Sequence, residues 1–150
     1  MNKLKVSLVH ADHTYIDQLC EVENACFNIP WSRDALLDDM SKNLFAEYIA
    51  AVVDNKVVGY AGMWKIIDEG HITNIAVHPD YRGRKVGRKL LNGLIANARK
   101  SRLKLLTLEV RISNDIARKL YETSGFEVVG QRRRYYADNN EDAIIMTRVF

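Results

Sequence analysis

The sequence predicts an α/β fold built on one mixed sheet, and three observations carry that reading. Segments of strand-like alternation and of helical periodicity follow one another in the order β-α-α-β-β-β-α-β-α-β-β. No repeat, low-complexity tract or long linker interrupts them. A chain of 150 residues suits one domain, residues 1–150, burying about two-thirds of its unfolded surface without a metal or disulfide staple. Finally, within residues 74–91 an apolar strand stops at Pro79-Asp80 and a basic, glycine-bearing loop leads into a helix.

Lys3 to His10 alternates as a strand, and Asp12 is placed to cap a helix whose apolar positions Ile16, Leu19, Cys20 and Phe27 recur at helical spacing. Pro30 interrupts it. Ser32 caps a second helix from Arg33, with Asp34 near its positive end and Leu36, Leu37 and Met40 toward the core. Phe45 to Val53 and Val57 to Ile67 read as antiparallel strands joined by the turn Asp54-Asn55-Lys56. Gly70 to Val77 is the next strand. Val86 to Lys100 is a helix burying Val86, Leu90, Leu91, Leu94, Ile95 and Ala98, and Leu103 to Val110 follows as a strand. The last helix, Asn114 to Ser124, is capped by Ser113 or Asn114 and closed by Gly125 in the left-handed conformation. Phe126 to Arg132 and Ala143 to Val149 complete the sheet.

Composition narrows the function classes. With 47% hydrophobic and 27% charged residues, the chain reads as an ordinary globular protein. Its uncharged runs are shorter than the roughly 18 residues that span a bilayer. The stretch Met1 to His10 lacks the apolar core and small-residue cleavage site of a signal peptide, so a cytoplasmic location is expected. Cys20 and Cys26 share one predicted helix, with Cα atoms about 9 Å apart along the axis, too far for a disulfide. His10, His13, His71 and His78 form no ligand pattern, so no metal is expected. The formal charge is +3, yet residues 81–104 carry nine Lys or Arg and no acid. That stripe suits a phosphorylated cofactor better than nucleic acid, because no base-stacking aromatic pair or helix-turn-helix pattern accompanies it.

A loop of this kind can cradle a pyrophosphate with backbone N–H groups, the positive end of a helix and basic side chains together. It is not a P-loop, which needs Gly-Lys-Ser/Thr, and Gly83 and Gly87 do not fit G-x-G-x-x-G. Arg82-Gly83-Arg84-Lys85-Val86-Gly87 instead resembles the acetyl-CoA-binding motif [RQ]-x-x-G-x-[GA] of the GNAT acyltransferases. Lys85 departs from it, standing where the family has its first glycine; a left-handed backbone there would cost a lysine on the order of 1 kcal/mol. The element order also matches the GNAT fold from end to end. The resemblance therefore implies a mixed central sheet splayed between its fourth and fifth strands, helices on both faces, and acetyl-CoA as cosubstrate.

Acetyl transfer to an amine needs a base, because an ammonium has no lone pair and an α-amine of pKa about 7.7–8.0 is mostly protonated at neutral pH. Glu109, an acid inside the apolar strand Leu106-Thr107-Leu108-Glu109-Val110, is a candidate, and desolvation is expected to raise its pKa. The strand pattern alone equally fits an acid paired with Arg111 or an arginine of another strand. The departing thiolate needs a proton, for which Tyr121 is a candidate; as a residue it equally fits an amphipathic core tyrosine. Leu108-Glu109-Val110-Arg111, Ser113-Asn114 and Leu120-Tyr121-Glu122-Thr123-Ser124-Gly125-Phe126 together resemble the signature of bacterial RimI-type enzymes, which acetylate the N-terminal alanine of a small-subunit ribosomal protein. That resemblance implies Glu109 as base and Tyr121 as general acid.

It further implies that backbone groups of Ile75-Ala76-Val77 bind the acetyl and pantetheine portions and stabilise the oxyanion. Gly83, Arg84, Lys85, Val86, Gly87 and Arg88 would hold the pyrophosphate, and Asn114 would contact the cofactor, although Asn114 equally fits a helix cap. Cys26-Phe27-Asn28-Ile29-Pro30-Trp31-Ser32 resembles the RimI-like acceptor side, and in Arg132-Arg133-Arg134-Tyr135-Tyr136 the tyrosine Tyr135 would line the peptide channel. Neither cysteine suggests an acyl-enzyme, so direct transfer is expected, with a ribosomal-protein N-terminus as partner and neither nucleic acid nor membrane. Another protein N-terminus, a lysine or a small amine remains an alternative acceptor, and a non-catalytic acetyl-CoA-binding module a rival of another class.

Overall fold

A computed structural model describes residues 4–150. Its strands are β1 (Ser7–His10), β2 (Ala46–Val53), β3 (Lys56–Ile66), β4 (Glu69–Val77), β5 (Leu105–Arg111), β6 (Glu127–Arg132) and β7 (Ala143–Val149). The helices are α1 (Ile16–Cys26), α2 (Arg33–Ser41), α3 (Val86–Lys100) and α4 (Asp115–Thr123). One seven-stranded sheet runs β1-β2-β3-β4-β5-β7-β6. Its pairs are antiparallel except β4 with β5, which run parallel.

That parallel pair is short. It joins Glu69, Gly70 and His71 to Leu105, Leu106 and Thr107 and then stops, although β4 continues to Val77 and β5 to Arg111. Beyond His71 the edge of β4 that faced β5 has no partner strand among the described residues, and the sheet opens into a split. This is the splay expected between the fourth and fifth strands.

The split is held between two cores. On one face α3 and α4 cover the sheet: Leu90, Leu91 and Leu94 bury against Leu106, Leu108 and Val110 of β5, with Leu120 and Tyr121 beside them. On the other face α1 and α2 bring Leu19, Val22 and Leu36 against Tyr48, Tyr60 and Ala76. Full burial of each such aliphatic side chain contributes about 1.5–3 kcal/mol, so both layers are held firmly.

Several boundaries differ from expectation, each for a local reason. Asp12 caps a 3-10 turn, accepting from the Thr14 N–H at 3.0 Å, and the α-helix proper begins at Ile16. It ends at Cys26, and Phe27, expected inside it, is extended ahead of Pro30. Leu103 serves the closure of α3 and not the strand: Arg102 is left-handed (φ 58°) and the Leu103 N–H reaches Ala98 O at 3.0 Å. Asp54 and Asn55 both take positive φ, as a two-residue hairpin turn between right-twisted strands requires, and Lys56 already belongs to β3. Lys3, expected in the first strand, lies outside the described residues.

Candidate active site

The basic loop begins where β4 ends. Val77 O accepts from both Arg82 Nε, at 3.1 Å, and Cys26 Sγ, at 3.2 Å, so one carbonyl joins the loop to the end of α1. Gly83 has φ 78°, and a Cβ there would meet nothing within 4 Å, so the turn is open to an approaching ligand. Lys85 is left-handed, φ 65° and ψ 18°, and precedes α3 without a side-chain cap. The conformation that favours glycine is therefore adopted by lysine, with a strain on the order of 1 kcal/mol.

The first-turn N–H groups of Val86, Gly87 and Arg88 have no acceptor within an α-helix. Arg84 and Lys85 are exposed and make no ion pair among the described residues. These features fit the pyrophosphate of coenzyme A: free donors, a positive helix end, an open turn and unpaired cations. Arg88 contributes differently from Arg84, because its guanidinium turns to α4, meeting Thr123 Oγ1 at 2.8 Å and Ser124 Oγ at 3.4 Å. Asn114 is the N-cap of α4, accepting from the Ala117 N–H at 3.1 Å, which leaves its amide nitrogen unbonded among the described residues. Ile75, Ala76 and Val77 lie on β4 beyond its last pair with β5, lining the split.

Glu109 lies on β5, where Leu106, Leu108 and Val110 point into the α3 core and the alternate residues point to the face of α1 and α2. Its carboxylate is 13% exposed. Oε2 is 2.6 Å from His71 Nε2, and Oε1 is 3.4 Å from Arg132 Nε. Burial was expected to raise this pKa, and the opposite holds. The His71 hydrogen bond holds the carboxyl below its usual value, desolvation opposes it, and the charges of His71 and Arg132 add to the lowering. Glu109 is thus a poised anion and not a reluctant acid. The paired-acid reading holds with an arginine of another strand, Arg132 of β6; Arg111 is engaged with Asp138.

Tyr121 is buried on α4 against Phe126, ring centroids 5.8 Å apart, and burial pushes its phenol pKa well up. A phenol so placed keeps its proton until a strong acceptor arrives. Tyr135 is half-exposed, and its pKa is raised by burial and then by the nearby Glu109 charge.

Residues that sequence reasoning missed fix the walls of the cleft. His71 stands on the last parallel pair, opposite Thr107, which sets it diagonally against Glu109; only the β4–β5 register reveals this. Trp64 packs edge-on to His71 at 6.1 Å, and its indole N–H is held by Asp39 of α2 at 3.1 Å. Tyr48 also donates to Asp39. Glu23, 1% exposed, accepts from the Tyr60 hydroxyl and from the Trp31 N–H at 2.9 Å, fixing the loop from Phe27 to Ser32.

Opposite, Arg111 grips Asp138 through two nitrogens, at 3.0 and 2.8 Å, and covers the Tyr136 ring at 4.0 Å. Glu141 accepts from the Ser113 N–H at 2.8 Å. The segment between β6 and β7, which carries Tyr135, is thereby clasped onto the end of β5. An acid placed five or more residues into a loop gives no periodic signal in sequence, so this clasp was not legible there.

Comparison with known proteins agrees with the geometry. Residues 16–126 match the acetyltransferase (GNAT) family. A relative from Bacillus subtilis is 38% identical over 131 residues, 87% of each chain. The Escherichia coli K12 protein named [ribosomal protein bS18]-alanine N-acetyltransferase is 36% identical over 127 residues, 83% of this chain and 84% of that one. The crystal structure of the ribosomal-protein-S18-alanine N-acetyltransferase from Escherichia coli superposes with a TM-score of 0.90 at 32% identity, covering 97% of this chain and 94% of that chain.

Proposed function

The chain belongs to the GNAT acetyltransferase family, and we propose that it moves the acetyl group of acetyl-CoA directly to the N-terminal alanine of a small-subunit ribosomal protein, working as one domain. The observation that carries this reading is the Glu109 carboxylate, anchored by His71 and Arg132 on the acceptor face of a split sheet. The names of the relatives supply the acceptor.

Acetyl-CoA, when bound, supplies the acyl carbon and the thiolate leaving group. The chain's own residues do the rest. The loop from Gly83 to Arg88 holds the pyrophosphate by its N–H groups, with the Arg84 and Lys85 charges beside them. His71 fixes the Glu109 carboxylate through Oε2, leaving Oε1, whose contact with exposed Arg132 is longer, to take a proton from the amine. The N–H groups of Ile75 and Val77, on the edge of β4 turned to the split, face developing negative charge at the acyl oxygen without needing to reorganise, while Ala76 between them is paired with Tyr60 of β3. Tyr121 gives its proton to sulfur, and the Asn114 amide faces the cofactor from α4. Tyr135, positioned by the Arg111 clasp, lines the peptide channel.

In this reading the enzyme works in the cytoplasm with a ribosomal-protein N-terminus as partner, and neither nucleic acid nor a metal takes part. No helix among the described residues is long and apolar enough to cross a membrane. The test is a mass shift localised by fragmentation on an alanine-initiated ribosomal peptide with its N-terminus free or blocked. Acetylation of the free peptide at its α-amine is expected. Acetylation that persists on the blocked peptide would overturn the N-terminal reading in favour of a lysine.

A further inference from the structure

Beside the split two neighbouring buried polar atoms of β4, Thr73 Oγ1 and Asn74 Oδ1, have no partner among the described residues. Asn74 Oδ1 is shielded from solvent and hydrogen-bonded to nothing among the described residues. A buried carbonyl oxygen without a donor is costly and is retained where it has a task. Its position identifies the task.

The pairing of β3 with β4 shifts between Gly62 and Met63: Gly62 faces Asn74, Met63 faces Ile72, and Thr73 is the extra residue. Such a bulge re-aims the side chains around it. Ile75 and Val77 join the α3 core, whereas Ala76 joins the core under α1 and α2. By alternation Asn74 shares the face of Ala76, which is also the face of Glu109. A Cβ on Gly62 would lie 2.7 Å from the Tyr48 ring and 2.9 Å from Thr73 Oγ1, so Thr73 is packed on Tyr48 and leaves Asn74 as the residue turned to the split.

Height along the strands completes the placement. From the last parallel pair, His71 with Thr107, Glu109 lies two residues up β5; Asn74 lies three up β4, one of them spent in the bulge. The two side chains therefore stand level, on one face, across the opening where the strands part.

We propose that Asn74 is an acceptor-positioning residue: its Oδ1, shielded in the free enzyme, is turned by side-chain rotation to receive an N–H of the incoming primary α-amine, directing the lone pair toward the acyl carbon while Glu109 takes the proton. This rests on the amine-acceptor reading above and adds the group that orients the nitrogen.

The test compares wild type, Asn74→Leu and Asn74→Asp on the alanine-initiated peptide and on its analogue with propionyl in place of the first alanine, which lacks the amine. Asn74→Leu is expected to raise the peptide KM on the order of tenfold, to change inhibition by the amine-free analogue by less than about twofold, and to raise Tm, since the orphan oxygen is gone. Asn74→Asp keeps an acceptor and restores the KM. Its charge holds the ammonium proton, so the acid limb of kcat/KM moves to higher pH. Unchanged peptide KM in Asn74→Leu, or equal weakening of peptide and analogue, overturns the proposal. Failure of the N-terminal reading looks different: wild type then acetylates the blocked peptide, and the same variants measured on that lysine still decide the role of Asn74.

Discussion

The two ends of the cleft are built by opposite means. At the proposed cofactor end, donors come from the main chain of one continuous segment, Gly83 to Arg88, and exposed Arg84 and Lys85 make no ion pair among the described residues. At the acceptor end, side chains from distant segments hold one another: Glu23 with Tyr60 and Trp31, Asp39 with Trp64 and Tyr48, His71 with Glu109, and Arg111 with Asp138 and Tyr136. A pyrophosphate is the same in every turnover and is met by backbone dipoles that need only a turn and a helix start. An amine must be selected, deprotonated and aimed, which requires groups whose protonation and angle are set by neighbours.

The largest expected effect lies at the acceptor end. Glu109→Gln should lower kcat on the order of 10²-fold or more while leaving acetyl-CoA affinity nearly unchanged. Calorimetry beside steady-state rates checks it, and full activity at neutral pH would move the base elsewhere. At the cofactor end, Gly87→Pro removes a first-turn N–H that no helical bond uses and should weaken acetyl-CoA on the order of tenfold or more; Arg84→Ala, losing one charged contact, should cost only about 1 kcal/mol. Equal losses in the two variants would mean that side chains, not backbone, hold the phosphates.

His71→Gln separates positioning from charge. The folded Glu109 pKa is depressed, so the stability it contributes is present above the ordinary carboxyl pKa and is lost as pH falls through the folded value. Without His71 the opposing desolvation remains and the carboxyl pKa rises. Activity should then fall on the order of tenfold below about pH 6 and much less near pH 8. A uniform loss at every pH, in a profile of kcat/KM, would show that His71 acts by packing alone.

Arg111→Leu, which unbolts the segment carrying Tyr135, should raise peptide KM several-fold, roughly 1 kcal/mol, without changing acetyl-CoA affinity. Lys85→Gly should change stability least: relief of about 1 kcal/mol of left-handed strain is offset by the greater freedom of glycine in the unfolded chain. Thermal melts with and without CoA would show whether the lysine charge matters more than its backbone.

These contrasts also explain what was readable beforehand. The cofactor loop is contiguous, so its residue types and spacing stand side by side in sequence, and the order of elements follows from local periodicity in the same way. Glu109 was visible as an acid in an apolar strand, yet the sign of its pKa shift was not, because the deciding neighbour His71 lies 38 positions earlier and meets it only through the parallel pair. Nothing in the periodicity of α1 marks Glu23, which only the fold shows to be fully covered. Asn114 could be seen as either cap or ligand, and the fold shows that its oxygen caps while its nitrogen has no partner among the described residues.

The brevity of the β4–β5 pairing has a mechanical consequence. Three residue pairs join a ribbon of four strands to a ribbon of three, with the His71–Glu109 bond at the last rung and α3 laid across the seam. The line of weakest hydrogen bonding therefore runs through the proposed catalytic centre, beside His71 and Glu109. Amide exchange should be fastest along the facing edges of the seam and slow in the outer strands, and a cosubstrate lodged there acts as a splint that stiffens the two ribbons into one body for as long as the acyl group has yet to leave.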